Sequence, residues 1–112
     1  MKPSELTGAA LDWAVLKAIY PGCDSGSFWL NFARANKHTE DWALSGPIIE
    51  RERIRLVFRD LGAASYWCAE AYEAYQGNQY IDGKGPTPLI AAMRCYVSSK
   101  LGDEVQVPEE LR

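Results

Sequence analysis

The stretch IRLVFRDLGAASYWCAEAYEAY, residues 54–75, decides the fold. Its first half alternates, with Ile54, Leu56 and Phe58 on one parity and Arg55, Val57 and Arg59 on the other. Successive side chains of a strand point to opposite faces, so this is the pattern of a half-buried β-strand. DLGAAS then reads as a turn. In YWCAEAYEAY, Tyr66, Cys68 and Glu70 alternate with Trp67, Ala69 and Ala71, and the aromatics favour a strand that pairs with the first as a hairpin. AEAYEAY also has high helix propensity, so a helix competes for the same residues. Beyond it, QGNQYIDGKG contains a further turn and a short extended segment at Gln79–Ile81.

Helices flank this region. In SELTGAALDWAVLKAIY, residues 4–20, Leu6, Ala9, Ala10, Trp13, Leu16 and Tyr20 recur close to the helical period. Leu11, Val15, Ala18 and Ile19 widen the apolar surface, leaving a narrow polar stripe at Glu5, Gly8 and Asp12. Ser4 is the expected N-cap and Pro21-Gly22 the stop. At the other end, Thr87 caps and Pro88 opens a helix whose apolar face is Ile90, Met93, Val97 and Leu101, joined by Leu89 and Tyr96. Lys100 suits the negative end of its dipole and Gly102 its C-terminal turn. Between the two, CDSGS is a loop and Phe28, Leu30 and Phe32 alternate as in a short strand, although a helical turn fits nearly as well. KHTEDWALSG reads as an ordered loop, and Pro47 as the first residue of a short helical turn over 47–52. The expected fold is one α+β domain over residues 1–112. A small antiparallel sheet, a β-hairpin plus short strands, packs against the N-terminal and C-terminal helices. An acidic tail at 103–112 is expected to fray.

Composition excludes several classes. The 112 residues are 47% hydrophobic and 24% charged, with 12 Lys and Arg against 15 Asp and Glu, a net charge of −3. That disfavours nucleic acid, whose phosphate backbone calls for a concentrated basic face. Arg51, Arg53, Arg55 and Arg59 alternate with Glu50 and Glu52 as a solvated face does. No apolar run reaches the ~20 residues of a membrane span, and no signal peptide is evident, so a cytosolic location is expected. Cys23, Cys68 and Cys95 are odd in number and widely spaced, which reads as buried reduced thiols rather than a disulfide framework or a metal motif.

Catalytic sets are thin. His38, beside Lys37 and Glu40, reads as exposed. No HExxH, CxxC or paired histidine spacing occurs, so no metal and no cofactor is expected. GKGPT lacks the spacing of a phosphate-binding loop, and Pro86 and Pro88 remove two of the amides such a loop uses. What remains is a possible rim built from two proline-stiffened corners. Helix starts present free amides that favour anions. Arg51 and Arg94 offer bidentate donors, and Trp42, Trp29 or Trp67 can stack on a flat ring. The bland alternative keeps the tryptophans in the core and the arginines on the surface.

Three blocks carry a resemblance: ELTGAALDWAV at residues 5–15, DWALSGPIIERE at 41–52 and GPTPLIAAMRCYVSSKLGDEV at 85–105. They are similar to the NinX-like family of small tailed-bacteriophage proteins, in the same order and over most of the chain. The segment from Asp60 to Lys84 is longer than the resemblance implies. The resemblance implies an accessory phage product in the bacterial cytoplasm and brings no assigned activity. The motif residues are Asp41, Trp42, Gly46, Pro47, Glu50, Arg51, Gly85, Pro86, Thr87, Pro88 and Arg94. The function expected from them is non-enzymatic binding of a small anionic, nucleotide-derived ligand. By analogy with other phage proteins, that ligand is a sequestered host defence signal. Arg51 and Arg94 hold phosphates in this expectation, Trp42 stacks on a base, and Asp41 or Glu50 accepts from base or ribose. A homo-oligomer is expected, because a small fold encloses a pocket most easily between subunits. The alternative is a module that inhibits or redirects a host protein through Tyr72, Tyr75 and Tyr80.

Overall fold

The computed structural model describes residues 1–73 and 79–112, including all side chains of these except at 72, 73, 79 and 80. Among the described residues, four helices and a three-stranded antiparallel sheet make the expected α+β fold. The helices are α1 (Gly8–Ile19), α2 (Ser27–Ala35), α3 (Trp42–Glu52) and α4 (Pro88–Leu101). The strands are β1 (Arg55–Asp60), β2 (Ser65–Glu73) and β3 (Gln79–Gly85), in the order β1-β2-β3.

The hairpin reading holds over Arg55–Glu73, and its register matches the alternation, while residues 74 and 75 of the expected second strand lie outside the described residues. Leu56 faces Ala69 and Phe58 faces Trp67 across β1 and β2. The Phe58 and Trp67 rings stand 5.2 Å apart, a cross-strand aromatic pair. The other parity carries Arg55 and Arg59, with Glu70 between them at 3.6 and 3.2 Å. β3 is longer than expected, running to Gly85 along β2.

α4 is the hub. It packs against β2 and β3 on one side and against α1 and α3 on others. That explains why Ala91, Ala92, Met93, Cys95, Tyr96 and Val97 are all buried, and not only the one face read from the sequence. Its approach to β3 is set by Gly83, where an added Cβ would stand 2.4 Å from the Cys95 nitrogen and 2.5 Å from the Ala91 oxygen. Thr87 caps α4 as expected, its Oγ1 accepting from the Ile90 amide at 3.2 Å, with Pro88 in the first turn.

Several boundaries differ from expectation. Residues 28–32 are helical within α2, not a strand, because Leu30 and Ala33 turn into the core together at helical spacing. Ser4 lies in a separate short turn, Pro3–Glu5. Gly8, at a φ of 52° that glycine tolerates, divides that turn from the body of α1, so Ser4 does not cap it. α3 starts at Trp42, five residues before Pro47, because Asp41 Oδ1 accepts from the Ala43 amide at 2.8 Å and caps the helix there. Pro47 is therefore interior and removes one helical hydrogen bond.

The tail does not fray. Val105 and Val107 are buried in the core cluster. The Val105 amide donates to the Met1 carbonyl at 2.8 Å, and the Met1 ammonium reaches Glu104 at 2.7 Å. All three cysteines are free and buried, as expected. Among the described residues, no helix is long and apolar enough to cross a membrane.

Candidate functional site

The N-termini of α1, α3 and α4 meet around two adjoining depressions of about 520 and 290 Å³. The larger is lined by Gly8 and Asp12 of α1, Arg34 of α2, Lys37 and Glu40 of the following loop, and Thr87. The smaller continues past Thr39 and Glu40 to Trp42, Thr87 and Pro88. Thr87-Pro88 of the second proline-stiffened corner thus meets Trp42, which precedes the first corner, while Gly46 and Pro47 of that corner line neither depression. Trp42 is 53% exposed and stands at the rim, not in the core.

The floor is Asp12 and the loop over it. Asp12 is only 2% exposed, and its Oδ1 accepts from the Thr39 amide at 2.9 Å. Burial pushes its carboxyl above the ordinary value, opposed by that hydrogen bond and by nearby His38. His38 is buried rather than exposed, because the loop folds back over Asp12. Its Nδ1 lies 3.2 Å from the Asn36 carbonyl, which makes that nitrogen the donor. Burial lowers its pKa, countered by Asn36, Asp12 and Asp41, so the ring is neutral at pH 7. The Ser45 hydroxyl donates to the His38 carbonyl and ties α3 to the same loop.

Cationic groups sit above this floor. Lys37 is 3.7 Å from Glu40 and partly neutralised by it. The Arg34 guanidinium makes no hydrogen bond or ion pair among the described residues. The first turn of α1 adds amide donors, since its N-cap, Thr7, makes no side-chain capping bond.

The remaining predicted residues lie elsewhere. Asp41 adjoins the groove but spends its carboxylate on the α3 cap. Gly46 and Pro47 are inside α3, and Glu50 is exposed near its end. Arg51 donates to Tyr96 Oη at 3.5 Å, whereas Arg94 donates to the Leu6 carbonyl at 3.1 Å and to the Lys84 carbonyl at 2.7 Å. Residues 94 and 96 project about 200° apart around a helix. The two arginines therefore work on opposite sides of α4 and share no hollow. Arg94 is a clamp between the N-terminal segment and β3. Gly85 serves packing, since a Cβ there would stand 2.8 Å from Ile90 Cγ2, and Pro86 is exposed just before the α4 cap. Of the alternative tyrosine patch, Tyr75 and the side chains of Tyr72 and Tyr80 lie outside the described residues.

Asp12, Arg34, Lys37, Thr39 and Glu40 were not among the predicted site residues. Gly8 and Asp12 did belong to the polar stripe of the first helix, which is the one signal the sequence carries for this groove. Among the described residues, no group of three His, Cys, Asp or Glu is placed to hold a metal ion.

No curated protein matches the chain. The family described as Bacteriophage P22, NinX matches residues 2–100, which takes in α1 to α3, all of α4 but its last residue, and the residues lining the groove. The chain belongs to this phage NinX family.

Proposed function

We propose that this phage accessory protein binds a small anionic, nucleotide-derived ligand in the groove between α1, α3 and α4. Arg34 is the observation that carries the reading: a guanidinium without a partner among the described residues, beside an uncapped helix start. Arg34 would pair with a phosphate, and the first-turn amides of α1 would add neutral donors. Trp42 would stack on a base, and Asp12 or Glu40 would accept from ribose or base. The larger depression alone falls within the ~300–1,000 Å³ range of small-molecule sites. Sequestration of a host signal needs only this binding.

Thermal-shift titration with cyclic dinucleotides and ADP-ribose derivatives tests the proposal. A ligand at 100 times its Kd stabilises by about 2.7 kcal/mol, a shift well above noise for a domain this small. Arg34→Ala and Trp42→Ala should abolish the shift, measured against each variant's own ligand-free melting point. Arg51→Ala should keep it. No shift with any probe at about 1 mM, or a shift that survives Arg34→Ala and vanishes in Arg51→Ala, would overturn the reading.

A further inference from the structure

We propose that the depression between the N-terminal segment, the free edge of β3 and α4 binds a short zwitterionic peptide. Its volume is about 500 Å³, and it shares no lining residue with the groove between α1, α3 and α4. Its charges are sorted by sign. Lys84 and Arg94 stand at one end, where Arg94 Nη1 donates to the Lys84 carbonyl at 2.7 Å. Asp82 lies two residues back along β3, about 7 Å away at the rise of a strand, and Asp103 lies just past the end of α4. Only Pro86 and Thr87 separate β3 from α4, so the helix folds back along the strand, and Ile81 shares a second lining with Asp103. Both walls therefore carry a cation at one end and an acid at the other.

These charges lack counterions. None of Asp82, Lys84, Arg94 and Asp103 forms an ion pair among the described residues. Lys84 Nζ rests over the Tyr66 ring, 5.7 Å from its centroid. Arg94 Nε and Nη1 are committed to the Leu6 and Lys84 carbonyls, and its Nη2 has no partner among the described residues. Burial lowers the Arg94 pKa with no carboxylate opposing it. Lys2, the remaining charged residue of the lining, lies near Glu104.

The backbone of β3 selects a peptide. The Leu61 amide donates to the Ala64 carbonyl at 2.8 Å, closing the turn between β1 and β2. Bonded pairs alternate from there, so Arg59–Tyr66, Val57–Cys68 and Arg55–Glu70 bond across β1 and β2. Trp67, Ala69 and Ala71 are then left to bond Gly85, Gly83 and Ile81. Asp82 and Lys84 thus turn their amides and carbonyls away from β2, which is how Arg94 reaches the Lys84 carbonyl. A peptide laid along this edge pairs with them as an added strand, parallel to β3. Its carboxylate meets Arg94 and Lys84, and its ammonium meets Asp82 and Asp103. The two acids repel a polyanion, which sets this ligand apart from that of the groove.

A ¹H–¹⁵N NMR titration of the full chain with Ala-Ala, up to about 20 mM, tests this. The Asp82 and Lys84 amides should move while the Trp42 indole stays in place. N-acetylating the peptide, or amidating its carboxylate, should each weaken binding at least about tenfold. Asp82→Asn with Asp103→Asn changes two exposed residues, and circular dichroism checks its folding. It should lose about tenfold for Ala-Ala yet bind the acetylated peptide as wild type does, a pattern that mere loosening of the fold does not produce. Unchanged spectra, or equal binding of free and doubly blocked peptide, would overturn the proposal. So would a double variant that still discriminates as wild type does, or inorganic phosphate moving the same amides more strongly than Ala-Ala.

Discussion

Replacing Gly83 with alanine should cost this domain a large share of its stability. The added Cβ would sit 2.4 Å from the Cys95 nitrogen, 2.5 Å from the Ala91 oxygen and 3.0 Å from the Cys95 Cα. All three are main-chain atoms of α4, so no side chain can swing away to relieve the overlap. Ordinary contact begins at 3.4 Å, and strand and helix must therefore part by roughly 1 Å. A gap of that size forfeits a quarter to a half of each dispersion contact across it, and Ala91 and Cys95, the α4 residues that meet Gly83, are too small to refill it. Overpacking typically costs ~1–3 kcal/mol, and rigid neighbours place this case near the top, about 3 kcal/mol. For a domain of this size that is a fall in Tm of about 10 °C or more. Calorimetry or urea unfolding reads it directly. A Tm within about 2 °C of wild type would refute the close seating of α4 on β3.

Gly46→Ala should be close to neutral in urea unfolding: beyond its own helix backbone and chain neighbours nothing lies within 4 Å of the added Cβ, but Pro47 disfavours the helical region for a non-glycine residue before it, which offsets the gain of about 0.5–1 kcal/mol in helix propensity. Asp12→Ala should cost about 1–3 kcal/mol in the same assay, because it strands the buried Thr39 amide. His38 makes stability pH-dependent. Its folded pKa lies below 6.5 while the unfolded chain takes the proton near 6.5, so stability falls as pH drops below that value and levels off beneath the folded pKa. The slope cannot exceed about 1.4 kcal/mol per pH unit. Urea curves at pH 7.5 and 5.5 should show this loss in wild type and a smaller one in His38→Gln, whereas Asp12, whose folded pKa is raised, works in the opposite direction as pH falls.

Local chemistry made much of the fold legible. Residues 54–60 alternate as a strand does, yet β1 is the sheet edge and is little covered, with Leu56 half-buried and Phe58 50% exposed, and Thr87-Pro88 announces a helix start that the structure keeps. α2 was ambiguous because Phe28, Leu30 and Phe32 satisfy a period of two over five residues, and only Ala33 and Ala35 extend the helical period. In α3, Pro47 drew the boundary inward, although Asp41 is a good cap and the Ser45 hydroxyl anchors the first turn to the His38 carbonyl. The candidate groove was hardest to see. It joins Gly8, Arg34 and Thr87, which are far apart along the chain, and no local pattern reports that three helix starts meet. The two arginines that looked like partners were separated by a matter of phase: position 94 turns to β3 and position 96, which receives Arg51, turns to α3.

The most direct measurement is a ¹H–¹⁵N NMR titration of the full chain with ADP-ribose and with a cyclic dinucleotide. Binding in the groove should move the amides of Gly8, Ala9, Thr39 and Thr87, the Arg34 side-chain signal and the Trp42 indole, while the signals of Arg51 and Arg94 stay in place. Spectra unchanged with both probes, or changes confined to Arg51 and Arg94, would contradict a ligand site between α1, α3 and α4.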